Sequence, residues 1–149
     1  MAAPSFFREQ MMDEVSFERA APPVAEFIVL RAAAGWGQIA EPVATRALAG
    51  TVAAVTARDA DGRVIGFARA VGDELYVYIQ DVIVIEGCRG HGLGRRVMLQ
   101  LIEALAETSP HASIMLMCAE GREAFYERLG FEARPRRGFG PGMQLATDS

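Results

Sequence analysis

The sequence has no lysine and no asparagine, and all 15 of its basic residues are arginine. A Walker-A phosphate loop needs its lysine, and a Schiff-base enzyme needs a lysine amine, so both classes are excluded. Cysteine is scarce: Cys88 and Cys118 are the only two, and two cysteines make no disulfide framework. Histidine is as rare, and His91 and His111 do not combine with the cysteines into a zinc-finger spacing. No metal site is expected. No apolar run reaches the ~20 residues that span a bilayer. The N-terminus shows no apolar stretch followed by a small-residue cleavage site. These absences predict a reduced, cytoplasmic setting and no membrane partner. An excess of positive charge is missing too. The net charge is −4, which argues against a nucleic-acid partner.

What remains is a chain of 149 residues, 51% hydrophobic and 23% charged. That is one domain's length with enough apolar material for a core. A single domain over residues 1–149 is expected, with residues 1–13 frayed. Val15–Arg19 reads as a short strand. Pro22-Pro23 then opens a helix over Val24–Ala34, where Val24, Phe27, Ile28 and Arg31 share a face. Gly35-Trp36-Gly37 breaks it, and Pro42–Leu48 is a second short helix closed by Gly50.

The period then changes. Thr51–Arg58 and Val64–Val71 read as strands around an Asp61-Gly62 turn. Leu75–Ile85 is almost continuously apolar and predicts a central strand buried on both faces. A glycine-rich stretch follows. Leu93, Val97, Leu101 and Leu105 then repeat at four-residue steps, the mark of an amphipathic helix ended by Ser109-Pro110. Ser113–Cys118 is a further strand, Arg122–Leu129 a short helix, and Phe131–Ala133 and Met143–Leu145 are candidate last strands. The class is α/β, in the α+β sense.

The stretch Arg89-Gly90-His91-Gly92-Leu93-Gly94 lies between a strand and a helix. Glycines permit a tight turn and a close backbone approach. The first helical turn offers unpaired N–H groups and the positive dipole end, so the pair is suited to a phosphate. Arg95 and Arg96 stand in that turn, where the dipole disfavours cations and an anion would offset the cost. The glycine spacing is not the G-x-G-x-x-G of a dinucleotide fold.

The residues Arg89-x-x-Gly92-x-Gly94 resemble the Q/R-x-x-G-x-G/A motif of the GNAT N-acetyltransferase superfamily. Val82–Gly90 resembles the family's fourth strand and pyrophosphate loop. Gly121-x-x-x-Phe125-Tyr126-Glu127-Arg128-Leu129-Gly130-Phe131 resembles its second signature. The order of elements agrees over Val15–Leu145. The resemblance implies the acyl-CoA N-acyltransferase fold. That is a mixed, mostly antiparallel sheet of about six to seven strands with about four helices, the fourth and fifth strands splayed apart. It also implies acetyl-CoA as co-substrate. The pyrophosphate would be held by Arg89, Gly90, His91, Gly92, Leu93, Gly94 and Arg95, and the pantetheine arm by the backbone of Val82, Ile83 and Val84. Two positions depart from the pattern: Glu86 stands where many relatives have Pro, and Ala119 where many have Asn.

Acetyl transfer needs a neutral amine, a donor for the oxyanion, and a proton for the leaving thiolate. Tyr126 matches the family's helix tyrosine and is the candidate acid; the plainer reading is an aromatic packed beside Phe125 and Leu129. Gln80-Asp81 interrupts an apolar strand, and a buried carboxylate needs a reason. Asp81 either relays the amine's proton or binds substrate, as in many relatives, or pairs with an arginine. Gln80 goes with it as a substrate-side residue. Trp36 falls where the family's variable substrate loop lies, or else anchors the core. Cys88 and Cys118 are candidate nucleophiles of a ping-pong scheme, with a small buried hydrophobe the better reading for Cys118. Arg134, Arg136 and Arg137 are a solvated loop, or a site for an anionic acceptor or the CoA 3′-phosphate. The expected function is direct transfer of acetyl from acetyl-CoA to a primary amine on a small molecule or peptide, in a ternary complex. The alternative is a catalytically silent CoA-binding regulatory module. Pairing is common among relatives, which implies a homodimer.

Overall fold

Short turns between apolar runs build an antiparallel meander, seen in a computed structural model that describes residues 12–147. The strands are β1 (Ser16–Glu18), β2 (Thr51–Arg58), β3 (Val64–Gly72), β4 (Tyr76–Val84) and β5 (Ser113–Leu116). The helices are α1 (Val24–Ala33), α2 (Glu41–Ala49), α3 (Leu93–Thr108) and α4 (Glu123–Glu127). The sheet order is β1-β2-β3-β4-β5, antiparallel except for the β4–β5 pair, which is parallel. A parallel pair needs a crossover, and α3 supplies it. The chain folds as two compact units, Met1–Leu116 and Met117–Ser149. The first holds the sheet and α1–α3; the second holds α4 and the C-terminal loop.

The two faces of the sheet are packed differently. On one, α1 and α2 bring Phe27, Leu30 and Ala44 against Ala54, Val64, Phe67 and Ile83. Phe27 meets Phe67 edge to face with ring centroids 5.8 Å apart. On the other, α3 buries Leu93, Val97, Met98, Leu101 and Leu105. Gly66, next to Phe67 and so facing the opposite way, lets α3 come close. A Cβ there would lie 3.3 Å from side-chain atoms of both Leu93 and Val97.

Three expectations need correction. The described residues contain five strands, fewer than six to seven. Phe131–Ala133 and Met143–Leu145 form no strand; only an isolated Arg136–Phe139 bridge occurs there. Pro, Gly and Arg dominate that segment, and neither three-residue run has a strand edge to pair with among the described residues. Third, β4 is not buried on both faces but alternates between buried and less buried residues. Beyond Ile79 it has no strand on the β5 side among the described residues, because β5 pairs only with Tyr76–Ile79. The frayed terminus expected over residues 1–13 falls largely outside the described residues.

Candidate functional site

The β3–β4 ladder breaks register at one point. Phe67 pairs with Ile83, and Arg69 with Gln80. Two steps on β3 thus match three on β4, which is a β-bulge at Asp81-Val82. Asp81 takes the extra residue's conformation, with φ of 54°. It is the only non-glycine residue at positive φ among those described. The extra residue also reverses which face β4 presents. Ile79 lies opposite Ala70 and Ile83 opposite Phe67, and residues three apart on β3 face opposite ways. Beyond Ile79 the outer edge of β4 has no strand beside it among the described residues. Val82 therefore lies in the bulge, Ile83 and Val84 pair with β3, and all three lack a strand on the β5 side among the described residues.

The bulge is pinned by charge. Arg69 Nε donates to Asp81 Oδ2 at 2.6 Å, and Arg31 Nη1 donates to Asp81 Oδ1. The side chains of Asp81 and Arg69 are 4% and 8% exposed, that of Arg31 23%. Arg69 Nη1 also donates to the carbonyl of Ala47 at 3.1 Å, near the C-terminus of α2, a carbonyl that also accepts from Gly50 N–H. Of the readings open for Asp81, the geometry is that of the ion pair, with both oxygens engaged. Arg31 and Arg69 were not singled out from sequence. The available signal was a lone arginine inside the apolar run Val64–Val71, which must find a buried counter-charge.

Trp36 is 45% exposed, so it is not a core anchor. Its place follows from the end of α1. Trp36 N–H donates to Arg31 O at 3.1 Å, Gly35 N–H donates to Ala32 O at 3.0 Å, and Gly35 has φ of 84°. This is a Schellman turn, which brings the residue after the glycine over the helix's last turn. The Arg31 guanidinium lies over the Trp36 ring, 5.2 Å from its centroid. Gln80 is half-buried and pairs in register with Arg69.

After β4, a 3₁₀ turn over Glu86–Cys88 leads into the glycine loop. Gly90 and Gly92 have φ of 81° and 77°, and Gly92 is the N-cap of α3. No side chain caps this helix, and its first turn holds no acid. The first-turn N–H groups of Leu93, Gly94 and Arg95 therefore have no intrahelical partner. Leu93 contributes through its backbone only, since its side chain is buried. Buried Cys88 anchors the loop's other end, and Arg89 Nε donates to Val84 O at 3.0 Å, tying the loop to the tip of β4. His91 is half-buried. These residues suit a diphosphate. Burial pushes the Cys88 thiol up, with Asp59 adding to the rise and Arg63 opposing it. It is not an activated nucleophile. Among the described residues no three of His, Cys, Asp and Glu converge as metal ligands would.

In the second unit, Tyr126 is half-buried on α4, with the Phe125 ring 4.9 Å and the Phe131 ring 6.1 Å away, both edge-on. Burial pushes its phenol up, and Cys118 adds to the rise; Arg122 opposes it. Arg134 and Arg136 stack on Phe139 at 5.3 and 4.8 Å, in an exposed loop.

Residues 18–131 match the Acetyltransferase (GNAT) family. The chain is 39% identical over 82 residues to serotonin N-acetyltransferase 2, chloroplastic, of Oryza sativa, covering 54% of this chain and 40% of that protein. It is 31% identical over 99 residues to glucosamine 6-phosphate N-acetyltransferase of Trypanosoma brucei, covering 62% of this chain and 67% of that protein. The chain thus spans less than half the length of the rice protein. A crystal structure of a protein of unknown function from meticillin-resistant Staphylococcus aureus, described as a probable acetyltransferase, shares the fold. Its TM-score is 0.76 at 23% identity, covering 89% of this chain and 99% of that one.

Proposed function

Because the chain belongs to the GNAT acetyltransferase family, we propose that it transfers acetyl from acetyl-CoA to a primary amine by direct attack in a ternary complex. The single observation that carries this reading is the β4 bulge, on the strand that leads through a 3₁₀ turn and the glycine loop into an uncapped helix N-terminus. A diphosphate on the Gly90–Arg95 backbone would be met by free N–H groups and the positive dipole end. The pantetheine arm would extend along the unpaired edge of Val82–Val84, as an added strand does.

In the chemistry, the amine nitrogen attacks the thioester carbonyl. The C–N bond forms, the C–S bond breaks, and the ammonium proton passes to solvent. A backbone N–H at the bulge stabilises the oxyanion. Tyr126 protonates the departing thiolate; this role rests on its motif match, and burial keeps the phenol in its neutral, proton-bearing form. Asp81 fixes the bulge through its two arginines, and a relay through it would need one oxygen released. Gln80 and Trp36 stand on the acceptor side of this reading. The acceptor is a small molecule or a peptide amine. The names of the relatives span serotonin and glucosamine 6-phosphate, so family membership alone leaves the acceptor class open. No described helix is long and apolar enough to cross a membrane, and both cysteines are free thiols. A cytoplasmic, homodimeric enzyme is the accompanying proposal.

The test is calorimetric binding of CoA, followed by thiol release from acetyl-CoA with a panel of amines. CoA should bind the wild-type chain, and Gly92→Asp should abolish binding, since it places an anion and a strained side chain at the N-cap. Unchanged affinity in that variant removes the loop from the site. Binding without thiol release for any amine favours the regulatory module instead.

A further inference from the structure

Two guanidinium groups share a single carboxylate beside the β4 bulge. Glu26, the one acid of α1, is taken by Arg58 Nη1 at 2.7 Å. The groups packed around the cluster are otherwise neutral: Phe27, Thr51, Gln80 and Trp36. The negative C-terminal end of α1 lies near Arg31, but a helix dipole supplies only about half a charge. The cluster thus carries surplus positive charge.

The surplus sits on Arg31 rather than Arg69. Arg69 directs three hydrogen bonds, to Asp81, Ala47 and Thr51. Arg31 directs one, to Asp81. Its Nε is buried with no partner among the described residues. Its side chain is nonetheless 23% exposed, and Trp36 roofs it. A guanidinium with spare donors, held in one orientation by a carboxylate behind it and an indole above it, is pre-organised for a planar or tetrahedral anion. It stands at the residue that forms the bulge, where the acetyl carbonyl lies in the reading above.

We propose that Arg31 and Trp36 form an anion-binding subsite for the acceptor, so the amine substrate carries a carboxylate or phosphate. This rests on the acetyl-transfer reading and narrows it. Arg31 would bind the anion with the donors it leaves unused, and Trp36 would cover the acceptor's carbon frame.

Trp36 is the only tryptophan of the chain, so its emission reports this place alone. Protein saturated with CoA, whose diphosphate then fills the glycine loop, is titrated with inorganic phosphate and separately with acetate. Sodium chloride at matched ionic strength is the control. A saturable change with phosphate alone assigns an amino phosphate; one with acetate assigns an amino carboxylate. Arg31→Gln should weaken the response by roughly tenfold or more, and Arg31→Lys by less, because lysine keeps the charge but not the fork. Emission that follows chloride, or a full response in Arg31→Gln, overturns the subsite and leaves a neutral acceptor stacked on Trp36. The wild-type comparison with chloride stands even where a variant does not fold. Failure of CoA to bind is a separate result, and it overturns acetyl transfer itself.

Discussion

Burial around Tyr126 favours the neutral phenol, so its hydroxyl keeps its proton through neutral pH and above. A group that must donate is active below its pKa, and a raised pKa extends that range upward. Tyr126→Phe should lower kcat by about 100-fold, the lower end of general-acid effects. The KM for acetyl-CoA should stay nearly unchanged, and the basic limb of the rate profile should lose its Tyr126 component. Equal turnover removes the acid role. Asp81 presents the opposite case, a residue whose charge is used inside the fold. Asp81→Asn keeps the shape and tolerates positive φ, since asparagine visits that region readily. It would leave Arg31 and Arg69 without a counter-charge. A loss of about 3 kcal/mol is expected in urea denaturation, and a loss under about 1 kcal/mol, typical of a surface pair, would deny the bulge its charged pin. Sequence showed that Asp81 needed a partner, but fifteen arginines offered no way to choose.

Among the elements, those with a strong local period were legible. The four-residue leucine and valine step placed α3, and Asp61-Gly62 placed the β2–β3 turn, where Asp59 Oδ1 accepts the N–H groups of Asp61 and Arg63. The β3–β4 turn is tighter still. Gly72 has φ of 141°, and a Cβ there would sit 2.0 Å from the Tyr76 carbonyl oxygen. Backbone cannot yield as a side-chain tip can. Gly72→Ala should destabilise the chain by about 2–4 kcal/mol, read as a lowered denaturation midpoint. A midpoint within error of wild type would mean that the turn rearranges freely. The expected strands at Phe131–Ala133 and Met143–Leu145 do not form, although each alternates apolar, polar, apolar as a strand does. Whether a ladder forms depends on a partner edge, and the segment carries no record of one. The splayed end of β4, where the bulge lies, was expected only through the family resemblance. Its register change lies in how β3 and β4 meet, and neither strand's own sequence displays it.

For the whole molecule, composition and order went far. The absence of lysine and the negative balance excluded other classes, while the glycine loop, the second signature and the element order resembled the GNAT family, and residues 18–131 match it. Those features are local or additive, so a linear reading carries them. Helix period, turn glycines and net charge need no knowledge of what lies across the fold. The tertiary structure alone decided which charges meet. Arg31 and Asp81 are 50 positions apart, and Arg69 and Asp81 are 12 apart. Only the docking of α1 and the pairing of β3 with β4 bring the three together. It also decided that Trp36 roofs an arginine instead of filling the core, and that β4 loses β5 beyond Ile79, with no other strand on that side among the described residues. The physical reason is that burial, ion pairing and strand partnership belong to pairs of distant residues, while period, turn chemistry and composition belong to the chain itself.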